Sequence, residues 1–423
     1  MPLTSYPGPN TIHRHTLANG ITFLAYENNA SESVVIEGIV RAGALIEKRE
    51  NAGISNFTAE MLMRGNSKRS FEETYEAIES VGAGIDFSSG RHVSEFSASG
   101  LVEDLDLLLE LLADSLQQPT FPENHIEKVG TEIIAGLQIH ANSTRHMAGR
   151  AFRELLYQDH PYSLTVEGYL ESVTRIGRAD LLNFHEMYYG PQGMIISIVG
   201  AIDPDEALKR VKSVFGGWQK DHLPMPEAQP APRPLTQTRT QVDMPQKTQS
   251  DIVMGLPGPL RSADDYLEAS VANTILGVFG MYGRLGKSVR EKQGLAYYAF
   301  SRLHGGLGPA PWYVSTGVAP EKVEQAIDSI LIEIERICNE PIPEEELADS
   351  QAFRTGSLPV SLETNDGLAG VISDMELFGL GLDYLQMLPD KINAMTPETV
   401  QAAAKKYFSA TQIALAVAGP AQT

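Results

Sequence analysis

Apolar and polar positions along this chain fall into blocks whose period switches between two and about 3.6. Ser33-Val34-Val35-Ile36-Glu37-Gly38-Ile39-Val40 is rich in β-branched residues with partial alternation and predicts a strand. Ser70-Phe71-Glu72-Glu73 has capping-box spacing, in which the Ser side chain and the N3 Glu satisfy each other's backbone amides. A helix is therefore expected from Phe71 to Ser80. A leucine-rich run predicts another from Leu105 to Leu116. Val323, Ala326, Ile327, Ile330, Leu331, Ile334 and Ile337 recur at helical spacing and predict a third.

Part of the pattern occurs twice. The segment from Val173 to Gly200 aligns without gaps on the segment from Ile392 to Gly419, at an offset of 219 residues. Each copy reads as an amphipathic helix ending at an aromatic pair (Tyr188-Tyr189, Tyr407-Phe408), then a polar turn and an apolar strand. A duplicated domain is the economical explanation. Between the copies Pro224, Pro226, Pro230, Pro232 and Pro234 fall close together, which forbids a helix or central strand and predicts a semi-extended linker. The expected organisation is a domain over 1–220, a linker over 221–238 and a second domain over 239–423. Each is an α+β unit with helices packed on one face of a sheet.

Composition narrows the partners. The 423 residues carry 33 Lys and Arg against 54 Asp and Glu, a net charge of −21, which argues against nucleic acid or an anionic membrane. No run approaches the roughly 18 apolar residues of a membrane span. The N-terminus lacks a signal peptide's basic and apolar regions, and the only cysteine, Cys338, allows no disulfide within the chain. A cytoplasmic protein is expected, with Cys338 buried on its helix.

Several segments recur, in order, in a known family. Gly53-Ile54-Ser55-Asn56-Phe57-Thr58-Ala59-Glu60-Met61-Leu62-Met63-Arg64-Gly65 has Gly before and Met-Leu-x-x-Gly after a five-residue core. Leu17-Ala18-Asn19-Gly20 opens the chain, and Asp159-His160-Pro161-Tyr162 follows in the first half. The second half holds Tyr282-Gly283-Arg284-Leu285 and, shortly after, Arg290-Glu291-Lys292-Gln293-Gly294-Leu295-Ala296-Tyr297. This set resembles the pitrilysin/insulinase-type zinc peptidases, which include mitochondrial processing peptidase. Members of that family carry H-x-x-E-H in the first frame, two His binding zinc and the Glu activating water.

Here Asn56, Ala59 and Glu60 stand at those three positions. The family's remaining ligand, a Glu separated from the second His by 76 intervening residues, falls on Leu137. The resemblance therefore implies a member without metal ligands or base: no cofactor in this chain, with zinc expected in a partner. It assigns Arg290 and Tyr297 as the catalytic pair that reaches a zinc site. It also implies two homologous α/β-sandwich domains, each a mainly antiparallel sheet with helices on one face, arranged as a clam shell. The implied function is that of the non-metal subunit of a heterodimeric zinc endopeptidase. Its partners would be a homologous H-x-x-E-H subunit and an unfolded peptide, with homodimers of the lone chain an open alternative. The competing expectation is an inactive structural or peptide-holding homologue, like the core proteins of the respiratory cytochrome complex.

Other candidates carry less. Asn56 and Glu60, at i and i+4, offer two donors and make a poor cation site, so a hydrogen-bonded pair is expected there. His13 and His15 fall on a predicted edge strand, and His140 and His146, six apart, on different helix faces; neither pair has zinc spacing. His160 is expected to be a structural loop residue. No G-x-S-x-G occurs, and Gly305, Gly306 and Gly308 lack the Lys-Ser/Thr of a phosphate loop.

Overall fold

A computed structural model of the chain describes residues 6–278 and 283–421. Tyr282 of the second-half motif lies outside the described residues. The elements run β1 (Ile12–Thr16), β2 (Thr22–Glu27), β3 (Ser33–Val40), α1 (Ile54–Met61), α2 (Phe71–Ser80), β4 (Gly84–Ser89), β5 (Ser94–Leu101), α3 (Leu105–Gln117), α4 (Glu123–Ala141), α5 (Thr144–Tyr157), α6 (Leu170–Val173), α7 (Arg178–Tyr188), β6 (Ile195–Gly200) and α8 (Pro204–Phe215). Residues 219–234 then form no helix or strand. There follow β7 (Thr238–Asp243), β8 (Ser250–Pro257), α9 (Tyr266–Asn273), β9 (Ala296–Leu303), β10 (Pro311–Val318), α10 (Val323–Asn339), α11 (Glu344–Ser361), α12 (Asn365–Leu377), α13 (Tyr384–Asn393), α14 (Pro397–Tyr407) and β11 (Ala414–Gly419).

The predicted strand is β3, and the predicted capping box is α2. There Glu73 N donates to Ser70 Oγ at 3.2 Å and Ser70 N donates to the Glu73 carboxylate at 2.8 Å. The duplicated block is α7–β6 and α14–β11, whose bounds differ by the same 219 residues.

The chain forms two compact units. Unit 1 comprises 1–137, 165–226 and 357–387; unit 2 comprises 138–164, 227–356 and 388–423. Unit 1 holds a six-stranded sheet in the order β1-β2-β6-β3-β5-β4, and unit 2 a five-stranded sheet in the order β7-β11-β8-β10-β9. Each is antiparallel except for one pair, β2 with β6 and β7 with β11. Allowing for the extra β1, the two sheets share one topology.

Each unit thus includes a segment from the other half of the sequence. In unit 1, Val34, Ile36 and Val40 point into a core shared with Phe57 of α1 and Leu105, Leu108 and Leu112 of α3. The opposite face of β3 and β6 is covered by α12. That helix is tied down at Asn365, which donates to Ser33 Oγ (3.0 Å), and at Glu376, which accepts two hydrogen bonds from Arg14 (2.8 Å each). In unit 2, α5 lies against β8 and β11 in the corresponding way, with Thr144 Oγ1 donating to Asp251 at 2.5 Å. The helices of each half carry an ordinary apolar stripe, which requires a buried face but does not say which sheet supplies it.

Candidate functional site

Helix α1 carries three of the four degenerate positions. Its start is fixed by Glu47, a buried carboxylate: Oε2 accepts from Gly53 N (2.8 Å), and Oε1 accepts from Ser55 N (2.9 Å) and Ser55 Oγ (2.6 Å). These are the free amides of a helix N-terminus, where negative charge is also favoured by the helix dipole. Burial raises the Glu47 carboxyl above its ordinary value, while these hydrogen bonds pull it back. Gly53 sits at φ 97°, and a Cβ there would meet Glu167 O at 2.9 Å, so the glycine of this frame answers a turn and a close approach. Nothing in the local sequence pattern marks Glu47, which reaches forward from a loop.

The four positions do not make a metal site. Asn56 is half-buried, Ala59 buried and Glu60 exposed. The expected hydrogen bond between Asn56 and Glu60 is not present among the described residues. Instead Glu60 lies in the field of Asp86, Glu132 and Arg64. Desolvation, then Asp86 and Glu132, raise its carboxyl despite the opposing Arg64. Leu137, on α4, packs against the unit 1 core. The same helix meets α1 at Gly130, where a Cβ would approach the Phe57 ring to 3.3 Å, and its Glu132 lies 3.7 Å from Arg64, in the turn that follows α1. An amide, a methyl, one carboxylate and an isobutyl group do not fit zinc, which takes three or four His, Cys or carboxylate ligands. Among the described residues no group of three or more His, Cys, Asp or Glu could hold a metal ion.

Arg290 and Tyr297 lie together in unit 2. Arg290 is on a π-helical stretch, Gly286–Lys292, and Tyr297 is the second residue of β9. The Arg290 guanidinium stands 5.9 Å from the centroid of the Tyr297 ring, within cation–π range. Both are exposed, Tyr297 at 85%, an unusual exposure for a large aromatic on a strand. Among the described residues Arg290 makes no ion pair and the Tyr297 hydroxyl no hydrogen bond. Tyr298 points the other way and donates to Asp251, a fully buried carboxylate that also accepts from Gln249 Nε2 (3.0 Å). That bond anchors β9 directly behind Tyr297, and the sequence reading missed it. The arrangement offers an exposed donor hydroxyl beside a free guanidinium.

The histidines divide. His13 and His15 are exposed on β1, an edge strand. His160 is buried, accepts from Tyr162 N at 3.1 Å and bonds Gln229 O at 2.8 Å, a structural role. The placing of His140 and His146 on different faces needs correction. The helical run is interrupted between α4 and α5 at Asn142-Ser143, so the two rings come from different helices and stack with centroids 4.0 Å apart. Cys338 is buried on α10, its thiol pushed up to about 12, first by burial. Gly305, Gly306 and Gly308 form the connection between β9 and β10.

Known proteins resemble this chain over most of its length. The family profile described as "Insulinase (Peptidase family M16)" matches residues 23–168, and that described as "Peptidase M16 inactive domain" matches residues 175–353. An uncharacterized zinc protease of Bacillus subtilis is 25% identical over 411 residues, spanning 97% of this chain and 98% of its own. The mitochondrial-processing peptidase subunit beta of Saccharomyces cerevisiae is 24% identical over 384 residues, spanning 87% and 81%. A crystal structure titled as a peptidase M16 inactive domain, from Pseudomonas fluorescens, superposes with a TM-score of 0.92 at 23% identity over 97% of this chain and 98% of that one.

Proposed function

The chain belongs to the insulinase-type M16 peptidase family, as a member lacking the zinc motif, and from that premise we propose that it is the non-metal subunit of a two-subunit zinc endopeptidase. The observation that carries the proposal is the split between its two candidate sites. The α1 positions hold no ligand set, while Arg290 and Tyr297 stand adjacent, exposed and unpaired. A homologous subunit with H-x-x-E-H supplies the metal. In this reading the Arg290 guanidinium holds a backbone carbonyl of an unfolded peptide. The Tyr297 hydroxyl donates to the oxygen that becomes anionic as the scissile carbonyl turns tetrahedral. One such donor is worth about 10²–10³ in rate.

The test is reconstitution with a zinc-bearing homologue, reading zinc content and cleavage of an unstructured peptide. The expected result is no activity from this chain alone, and activity from the pair that Arg290→Gln abolishes without dissolving the complex. A complex whose activity ignores Arg290→Gln and Tyr297→Phe would instead identify a structural subunit. No complex at all would overturn the reading.

A further inference from the structure

The charge of this chain is unevenly placed. Unit 1 holds 33 Asp and Glu against 15 Lys and Arg, whereas unit 2 holds 21 against 18. Within unit 2, three arginines without ion pairs among the described residues gather along one strip. Arg145 and Arg153 lie on α5 and Arg302 on β9. In a chain with so many carboxylates, unpaired arginines collected in one place require a reason.

The strip has an aromatic floor. Tyr298, Phe300 and Arg302 alternate onto one face of β9, and Tyr313 of β10 pairs with Arg302 on that face. The Arg145 guanidinium lies 5.0 Å from the Tyr298 centroid and 5.3 Å from that of Phe300, with Arg302 5.9 Å from Phe300 on the strand itself. His304 stacks on Tyr313 at 5.7 Å, and Tyr313 meets Phe300 edge-on at 6.3 Å. Arg145 and Arg302 are exposed; Arg153 is half-buried, with its Nε sealed from solvent and unbonded. The positive field is felt by His304, whose imidazole is held below its ordinary value by burial, then by Arg302 and Arg153.

The strip runs along the outermost strand of the sheet. β9 pairs with β10 on one side and with no strand on the other among the described residues, leaving backbone donors and acceptors of the kind an added strand uses. Here we propose that this edge is a docking site for an extended acidic peptide segment, added beside β9 with its carboxylates on Arg145 and Arg302. Alternate residues of an extended chain are spaced at about 7 Å, so a segment with Asp or Glu at every second position presents carboxylates to one face only. The inference stands apart from the proposed function, since it uses neither Arg290 nor Tyr297.

The experiment is fluorescence anisotropy on the full chain with a labelled nine-residue peptide alternating Glu and Val. The expected result is saturable binding that alternating Gln and Val does not show, weakened about 10- to 100-fold by Arg145→Gln with Arg302→Gln. These surface changes leave the thermal midpoint in place, and the variant Arg145→Lys with Arg302→Lys retains part of the binding. N-methylation of alternate peptide amides on the pairing side removes it. Equal binding of the Gln peptide, or wild-type binding by the double Gln variant, would overturn the proposal. So would binding that survives N-methylation and is displaced by tripolyphosphate, which would mean a site for any polyanion.

Discussion

Glu37 offers a test in which removing a charge stabilises the protein. It lies in β3 on the face covered by α12, half-buried, with Asp366 and Asp374 on that helix and Glu95 on β5. Desolvation first, then Asp366, Glu95 and Asp374, raise its carboxyl from 4.5 to about 7. A carboxyl whose folded value lies above its unfolded value binds its proton more tightly when folded. Its contribution to stability is therefore complete below pH 4.5 and is lost as pH rises through 7. At about 1.4 kcal/mol per pH unit, the displacement corresponds to about 3 kcal/mol withdrawn from unit 1 by pH 8. Glu37→Gln keeps the shape and the polarity but stays neutral. It should match the wild type near pH 4.5 and be more stable by about 2–3 kcal/mol at pH 8, a shift of about 1 M in the urea midpoint. Other carboxylates titrate equally in both proteins and cancel in the difference. The chain holds two tryptophans, Trp218 in unit 1 and Trp312 in unit 2, so 5-fluorotryptophan labelling gives each unit its own ¹⁹F resonance. The midpoint read from Trp218 should move and that from Trp312 should not. A gain of the same size at pH 5 and pH 8, or a loss at pH 8, would refute the electrostatic account of this face.

Further outcomes follow from the same reasoning. Glu47→Ala leaves two backbone amides and the Ser55 hydroxyl without their acceptor, and should destabilise unit 1 by about 3–5 kcal/mol in the Trp218 midpoint. Tyr297→Phe removes only an exposed hydroxyl; it should leave both midpoints within about 0.5 kcal/mol, yet lower peptide cleavage by the reconstituted pair about 10²–10³-fold. Cys338, buried and with its thiol pushed up to about 12, should resist a thiol reagent at pH 8 in the native chain and react once per chain in urea.

Local features were legible in the sequence, and those that join distant segments were not. The capping box of α2, the strand β3 and the repeated helix–strand block each depend on residues a few positions apart, and periodicity reports such things directly. The passage of α5 into unit 2 and α12 into unit 1 left no such trace, because an amphipathic stripe specifies a buried face and not its cover. The His140/His146 stack failed for a related reason. A spacing of six excludes a shared face only within one continuous helix, and Ser143 caps a new one, accepting from His146 N at 3.4 Å. At the candidate site, the residue types at Asn56, Ala59, Glu60 and Leu137 could be read from the chain. The apolar packing of Leu137 and the free, adjacent state of Arg290 and Tyr297 needed coordinates.

The persistence of α1 without its ligands has a physical account. A helix of eight residues is too short to be stable alone and depends on what surrounds it. Here Glu47 closes its N-terminus, Phe57 packs over Gly130, and Ile54, Phe57 and Met61 belong to the unit 1 core. None of these contacts involves Asn56, Ala59 or Glu60. Asn56 and Glu60 stand outside these contacts, so substituting those two positions need not unravel the helix. The prediction is that Asn56→His with Glu60→His folds as the wild type does, with an unchanged Trp218 midpoint in chelator. Adding zinc should leave that midpoint in place as well, because two imidazoles with no third ligand at Leu137 make a weak site. A zinc-dependent rise of several kcal/mol would show that a third ligand is within reach, and that the α1 site is closer to competence than its residues indicate.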